Sequence, residues 1–179
     1  TRQLPSMMTP KNSYAFFGTP ALAVEILDEL AGAGYVPEVV VTVPDRPQGR
    51  GMEMKATPVA EWAKARGIAT LKPERLSEFA EEFKKSDCAF AIVVAYGKIL
   101  PQALLDIAPM YNIHYSLLPR WRGATPVESP ILAGDTETGV AIQRIVYELD
   151  AGPLVATEKT PIGKDETGLD LRVRLNGIA

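Results

Sequence analysis

Val36–Val43 is a nearly continuous β-branched run, and a second apolar run covers Ala89–Ala95. A strand with one face in water alternates apolar and polar residues. These two do not, so each reads as a strand buried on both faces. Such strands need cover above and below, which helices linking parallel strands supply.

The helices can be read between the runs. Thr19 suits an N-cap and Pro20 the first helical position, and Leu22, Ala23, Ile26, Leu27 and Leu30 follow at helical spacing before Gly32 and Gly34. Further helices are expected from Pro58 to Arg66, over Leu76–Lys85, Gln102–Ile107 and Pro126–Ala133, and from near Glu166 to the chain end. Tyr14–Phe17, Ile68–Leu71, Met110–His114, Gly139–Val146 and Leu154–Thr160 read as the remaining strands. The alternation predicts an α/β fold with a mostly parallel sheet covered on both faces. The chain has 179 residues, enough for one domain with a sizeable core. Residues 1–12 read as a flexible tail without the apolar region of a signal peptide, and 13–179 as the domain.

Composition narrows the function classes. The net charge of −3 argues against holding nucleic acid by bulk charge, while leaving room for a local basic patch. No apolar run reaches the roughly 20 residues of a membrane helix. The single cysteine, Cys88, excludes a disulfide within the chain and suits a cytosolic setting. Standing in an apolar run, it reads as a small core residue. The chain lacks a G-x-G-x-x-G after its first strand, a Walker loop and a G-x-S-x-G elbow, and one Cys with one His cannot make a histidine-cysteine zinc site.

In open α/β sheets, ligands bind beyond the carboxyl ends of the strands. Those ends are Gly18-Thr19, Pro44–Gly51, Tyr96-Gly97 and His114–Gly123, the most unusual segments of the chain. Asn112 and His114 share one face of their strand, with Ile113 on the other. An Asn amide can donate to a developing oxyanion, and a His can move or donate a proton near neutral pH. The same spacing fits a strand-end histidine bonded only to its neighbours. Asp150, in the turn Glu148–Pro153, would orient His114 if it lay close, yet an aspartate there also suits a plain turn. Ser116-Leu117-Leu118-Pro119 is either an apolar wall for a flat aromatic ligand or a loop plugged into the core. The arginines of Arg46–Arg50 and Arg120–Gly123 either bind phosphates and carboxylates or form a solvated face.

Taken together, several segments resemble a known family: Phe17-Gly18-Thr19-Pro20, Pro44-Asp45-Arg46-Pro47 with Gly49-Arg50-Gly51, Val94-Ala95-Tyr96-Gly97, and Asn112-Ile113-His114 through Ser116-Leu117-Leu118-Pro119-Arg120-Trp121-Arg122-Gly123-Ala124. They resemble the methionyl-tRNA formyltransferases, from about Tyr14 to the chain end. The run Asn112–Ala124 is the most specific part. Asn-x-His and the Asp-x-Gly at Asp150 are shared with the wider folate-dependent formyltransferases, which include glycinamide ribonucleotide transformylase, sugar-nucleotide formyltransferases and 10-formyltetrahydrofolate hydrolases. The arginine-bearing segments point to the tRNA branch.

The resemblance implies a Rossmann-like three-layer formyltransferase fold, with 10-formyltetrahydrofolate as formyl donor and the amino group of initiator methionyl-tRNA as acceptor. It implies that Asn112 and protonated His114 stabilise the oxyanion of a tetrahedral intermediate. Asp150 would hold His114 charged and help move a proton off the amine through water. Ser116, Leu117, Leu118 and Pro119 would line the folate site, with Tyr96, Gly97, Lys98, Ile99 and Leu100 near the pterin. Arg46, Arg50 and Lys55, with Arg120 and Arg122, would meet the tRNA. No metal, covalent enzyme intermediate or membrane is implied, and a cytoplasmic monomer is expected. Other acceptors in view are an amino-sugar nucleotide, or none, in a binding remnant without turnover. Such family members usually continue into a C-terminal β-barrel. The sequence therefore reads as truncated, without the barrel and stopping within its last helix. Glu53 stands where a cation is expected, and Tyr115 and Thr125 where smaller residues are usual. Tyr115 points away from the His114 face and reads as neutral to catalysis.

Overall fold

A computed structural model describes residues 13–48 and 52–179. The tail expected at 1–12, and Gly49, Arg50 and Gly51, lie outside the described residues. The order of elements is β1 (Tyr14–Gly18), α1 (Ala21–Gly32), β2 (Val39–Val41), β3 (Arg46–Gln48), β4 (Glu53–Lys55), α2 (Pro58–Ala65) and β5 (Ala69–Leu71). A 3₁₀ turn at Leu76–Glu78 leads to α3 (Ala80–Lys84), β6 (Phe90–Val94), α4 (Gln102–Leu105), β7 (Met110–His114), α5 (Glu128–Ala133), β8 (Glu137–Arg144), β9 (Leu154–Pro161) and α6 (Gly168–Asn176).

Seven strands form one sheet in the order β5-β2-β1-β6-β7-β8-β9. The first five run parallel, while β7–β8 and β8–β9 are antiparallel pairs. The chain winds outward from β1 through β2 to β5, then restarts at β6 and winds the other way. The switch point lies between β1 and β6, where such sheets open a crevice at their carboxyl ends.

Phe16 and Phe17 show how the layers are held. Both are fully buried neighbours on β1, so they point to opposite faces. Phe16 packs with Leu27, Trp62 and Leu171 from α1, α2 and α6. Phe17 packs with Phe79, Phe83 and Leu104 on the other side. Gly18 lets α1 approach: a Cβ there would stand 2.7 Å from the Phe16 ring and 2.9 Å from the Ala23 methyl.

Four local readings change. Pro20, not Thr19, is the cap residue of α1, and the Thr19 hydroxyl donates to the Tyr96 carbonyl at 3.0 Å, tying two strand ends together. The segment after Pro44 is not all loop, because β3 and β4 pair as an antiparallel ribbon with Arg46 opposite Lys55. The helix expected over Leu76–Lys85 divides into the 3₁₀ turn and α3. The strand expected at Gly139–Val146 runs Glu137–Arg144, with an irregularity at Ile142/Gln143. By contrast Thr57 caps α2 as its sequence suggests, its hydroxyl accepting from Ala60 N at 3.1 Å. Among the described residues no helix is long and apolar enough to cross a membrane.

Candidate active site

β7 alternates as its sequence demands. Met110 joins the core beneath one face and Ile113 and Tyr115 the core on the other, leaving Asn112 and His114 on the Met110 side. Tyr115, whose hydroxyl donates to Asn176 Oδ1 at 2.6 Å, is turned away from His114's face. Burial pushes that phenol well above its ordinary pKa.

A cavity of about 570 Å³ opens at the carboxyl ends of β6 and β7. Asn112, His114 and Asp150 share its wall with Tyr96, Gly97, Lys98, Ile99 and Leu100. The His114 and Asp150 side chains are 6% and 9% exposed. His114 Nδ1 stands 3.7 Å from Asp150 Oδ2, and Nε2 lies 2.9 Å from the Trp121 carbonyl oxygen. A carbonyl only accepts, so Nε2 carries the proton of that bond. Asp150 is held at both oxygens: Gly123 N donates to Oδ2 and Gln143 Nε2 to Oδ1, each at 2.8 Å. Asn112 is half-buried, and its amide makes no hydrogen bond among the described residues. Its N–H groups are therefore open to a ligand in the cavity. Such an arrangement can donate to an oxyanion, hold an imidazole in one orientation and accept a proton beside it.

The other expected site residues divide. Tyr96 is buried, its hydroxyl without a hydrogen-bond partner and pushed up to about 12 by burial. Lys98 is tied back, its ammonium donating to the Pro73 carbonyl at 3.1 Å. Ser116–Pro119 do not line this cavity. Ser116 is fully buried and its hydroxyl donates to the Arg120 carbonyl at 2.7 Å, while the Leu117 side chain packs over Gly139. This loop thus braces the backbone that meets His114. Arg120 is engaged as well: its guanidinium binds Asp135 through two nitrogens at 2.7 and 3.1 Å and lies over the Trp121 ring, whose Nε1 donates to the same carboxylate at 2.8 Å. Arg122 pairs with Glu148 at 3.5 Å. Arg46 and Lys55 are exposed on the ribbon.

Gln143, Asp135 and the backbone of Trp121 and Gly123 carry site geometry that the motifs do not announce. The one signal for Gln143 is a polar residue in an otherwise apolar stretch, Val140-Ala141-Ile142-Gln143, of a buried strand.

The chain is 48% identical over 165 residues to a methionyl-tRNA formyltransferase of Thermus thermophilus, covering 90% of this chain and 54% of that one. It is 46% identical over 168 residues to the enzyme of that name from Dinoroseobacter shibae, covering 91% and 56%. The chain thus spans about half the length of the curated relatives it matches. In fold it is similar to phosphoribosylglycinamide formyltransferase of Bacillus halodurans (TM-score 0.77, 22% identity, 93% of this chain and 88% of that one). It is likewise similar to glycinamide ribonucleotide transformylase 1 of Geobacillus kaustophilus (TM-score 0.76, 23% identity, 94% and 92%). A family model described as formyl transferase matches residues 12–178, and the chain belongs to that family.

Proposed function

We propose that this chain carries the catalytic site of a folate-dependent formyltransferase that moves a formyl group from 10-formyltetrahydrofolate to the amino group of initiator methionyl-tRNA. The observation that carries the reading is the convergence of Asn112, His114 and Asp150, from β7 and the β8–β9 turn, on one wall of a single cavity. A cavity of about 570 Å³ is of the size that takes a drug-sized ligand. Tyr96, Ile99 and Leu100 give it an apolar side for a flat ring system, and Ser116 braces the Arg120–Trp121 backbone that meets His114.

The amine attacks the formyl carbon, the carbonyl π electrons move to oxygen, and the oxyanion accepts from the Asn112 amide. His114 reaches the same oxygen by exchanging the Trp121 carbonyl for it at Nε2. Asp150 orients the ring from the Nδ1 side and takes the amine proton through water; as the oxyanion re-forms the carbonyl, the bond to the folate nitrogen breaks and that nitrogen receives the proton and leaves as a neutral amine. The acceptor is proposed from the names of the relatives above, which do not favour an amino-sugar nucleotide. Arg46, Arg50, Lys55 and Arg122 are its proposed contacts. Arg120, already paired with Asp135, contributes through the loop it braces.

The test incubates the chain with 10-formyltetrahydrofolate and, in parallel, methionyl-tRNA and an amino-sugar nucleotide. Formylmethionyl-tRNA formed by the native chain and lost in His114→Ala is the expected result. Transfer that survives His114→Ala refutes the catalytic assignment, and transfer to the sugar alone refutes the acceptor.

A further inference from the structure

Gln143 is 2% exposed, a long polar side chain on a strand otherwise packed into the core. It stands directly opposite Asn112 across the β7–β8 ladder, at the irregularity in β8. Its Nε2 donates to Asp150 Oδ1 at 2.8 Å, while its Oε1 is buried without a partner. Only the amide nitrogen can face a carboxylate, so Asp150 dictates the flip of this amide and leaves the oxygen without a partner, beside Gly152 of the turn. An amide held at one end and orphaned at the other is a poor core residue, since burying an unpaired carbonyl costs stability that Met or Leu would spare. The turn is built to make this contact. Arg144 N donates to the Pro153 carbonyl, and Gly152 lies so close to β8 that a Cβ would fall on the Arg144 carbonyl oxygen.

We propose that Gln143 is the positioning residue for Asp150: a neutral donor that, with Gly123 N, locks the carboxylate beside His114 while leaving its negative charge to His114 and the reaction. A Lys or Arg at this position would fix the carboxylate equally well but would compete with His114 for its charge. An ionised Glu would repel it. The proposal rests on the reading of Asn112, His114 and Asp150 as the formyl-transfer site.

The test uses Gln143→Met, similar in size but without the donor. It has two readouts, because His114 is the only histidine of the chain and gives a single pair of imidazole nitrogen resonances in untagged protein. The expected result is a fall in kcat of roughly 10- to 100-fold, the range a charge-assisted hydrogen bond is worth, with donor KM within about threefold. The His114 nitrogen shifts move together with it. Unchanged kcat overturns the proposal, whether or not the resonances move.

Gln143→Glu keeps the protein testable if the Met variant folds poorly. While protonated, the introduced carboxyl still donates to Asp150. Once ionised it repels Asp150, so kcat relative to the native chain falls along a limb as pH rises. The neighbouring titrating groups are Asp150 and His114, with the Arg122–Glu148 pair further out on the loops. Absence of that limb also overturns the proposal. Failure of the underlying reading looks different: His114 resonances respond to Gln143→Met while Asp150→Ala leaves transfer intact.

Discussion

Asn112→Ala separates catalysis from stability more cleanly than any other change at the site. The Asn112 side chain makes no hydrogen bond among the described residues, so its removal orphans no buried partner. The backbone of β7 stays clamped between Val93 of β6 and Gln143 of β8. The structural cost is therefore that of a half-buried polar truncation, within about 0.5 kcal/mol, which moves Tm by less than about 2 °C in a domain of this size. The catalytic cost is of another order. Loss of one oxyanion donor typically lowers kcat by about 10²–10³. Single-turnover formyl transfer to methionyl-tRNA, beside a thermal melt of the same preparation, reads both. A kcat within about fivefold of the native value, with Tm unchanged, would show that the amide does not face the developing charge.

Three further outcomes follow from the surrounding contacts. Asp135→Ala strands Trp121 Nε1 and releases Arg120, lowering stability by about 1–3 kcal/mol by melt, and it reduces kcat because the Trp121 carbonyl loses its brace. Gly152→Ala drives a methyl against the Arg144 carbonyl, costing about 1–3 kcal/mol in denaturant titrations and displacing Asp150. At the start of α6, the Arg174 hydrogen bond lowers the Glu166 pKa and the Thr167 hydroxyl lowers that of Asp170. Lowered folded values mean stability present above the ordinary carboxylate range and lost as pH falls through them, so acid melts followed by helical circular dichroism should flatten below about pH 4 in Glu166→Gln.

The sheet was legible because its central strands are apolar without a break. Val39–Val41 and Phe90–Val94 could be covered only from both faces, and period-2 geometry put Asn112 and His114 together with no tertiary knowledge. What escaped depends on contacts distant in sequence. Thr19 looks like a cap because capping is local, but its hydroxyl finds the Tyr96 carbonyl 77 residues away. Ile145 and Val146 look like strand, yet β8 ends at Arg144 and both residues turn onto the cavity wall. Arg120 reads as a free cation because Asp135, its partner, lies beyond a helix. Gln143 carries no motif at all, and its value appears only once the β8–β9 turn lays Asp150 over it.

Backbone strain gathers at this site. Among the described residues five non-glycine residues have positive φ; of these, Ala95 (47°) and Asp150 (48°) line the cavity with Gly97 (81°) and Gly123 (97°), and Trp121 (62°) meets His114 through its carbonyl. Each has a geometric consequence: the Asp150 turn aims a carboxylate at β7, and the Trp121 turn presents its carbonyl to His114. Aspartate tolerates the left-handed region; alanine does not, at a cost of about 1–2 kcal/mol. Ala95 therefore isolates the strain from side-chain chemistry, since its methyl carries no polar group. Ala95→Gly should raise Tm by about 2–4 °C as that cost disappears. It should also raise the KM for the formyl donor, because Tyr96–Leu100 would then leave β6 in more than one direction. A Tm that fails to rise would mean that the positive φ at Ala95 stores no strain, and that the loop geometry comes from the packing of Tyr96 and Leu100 alone.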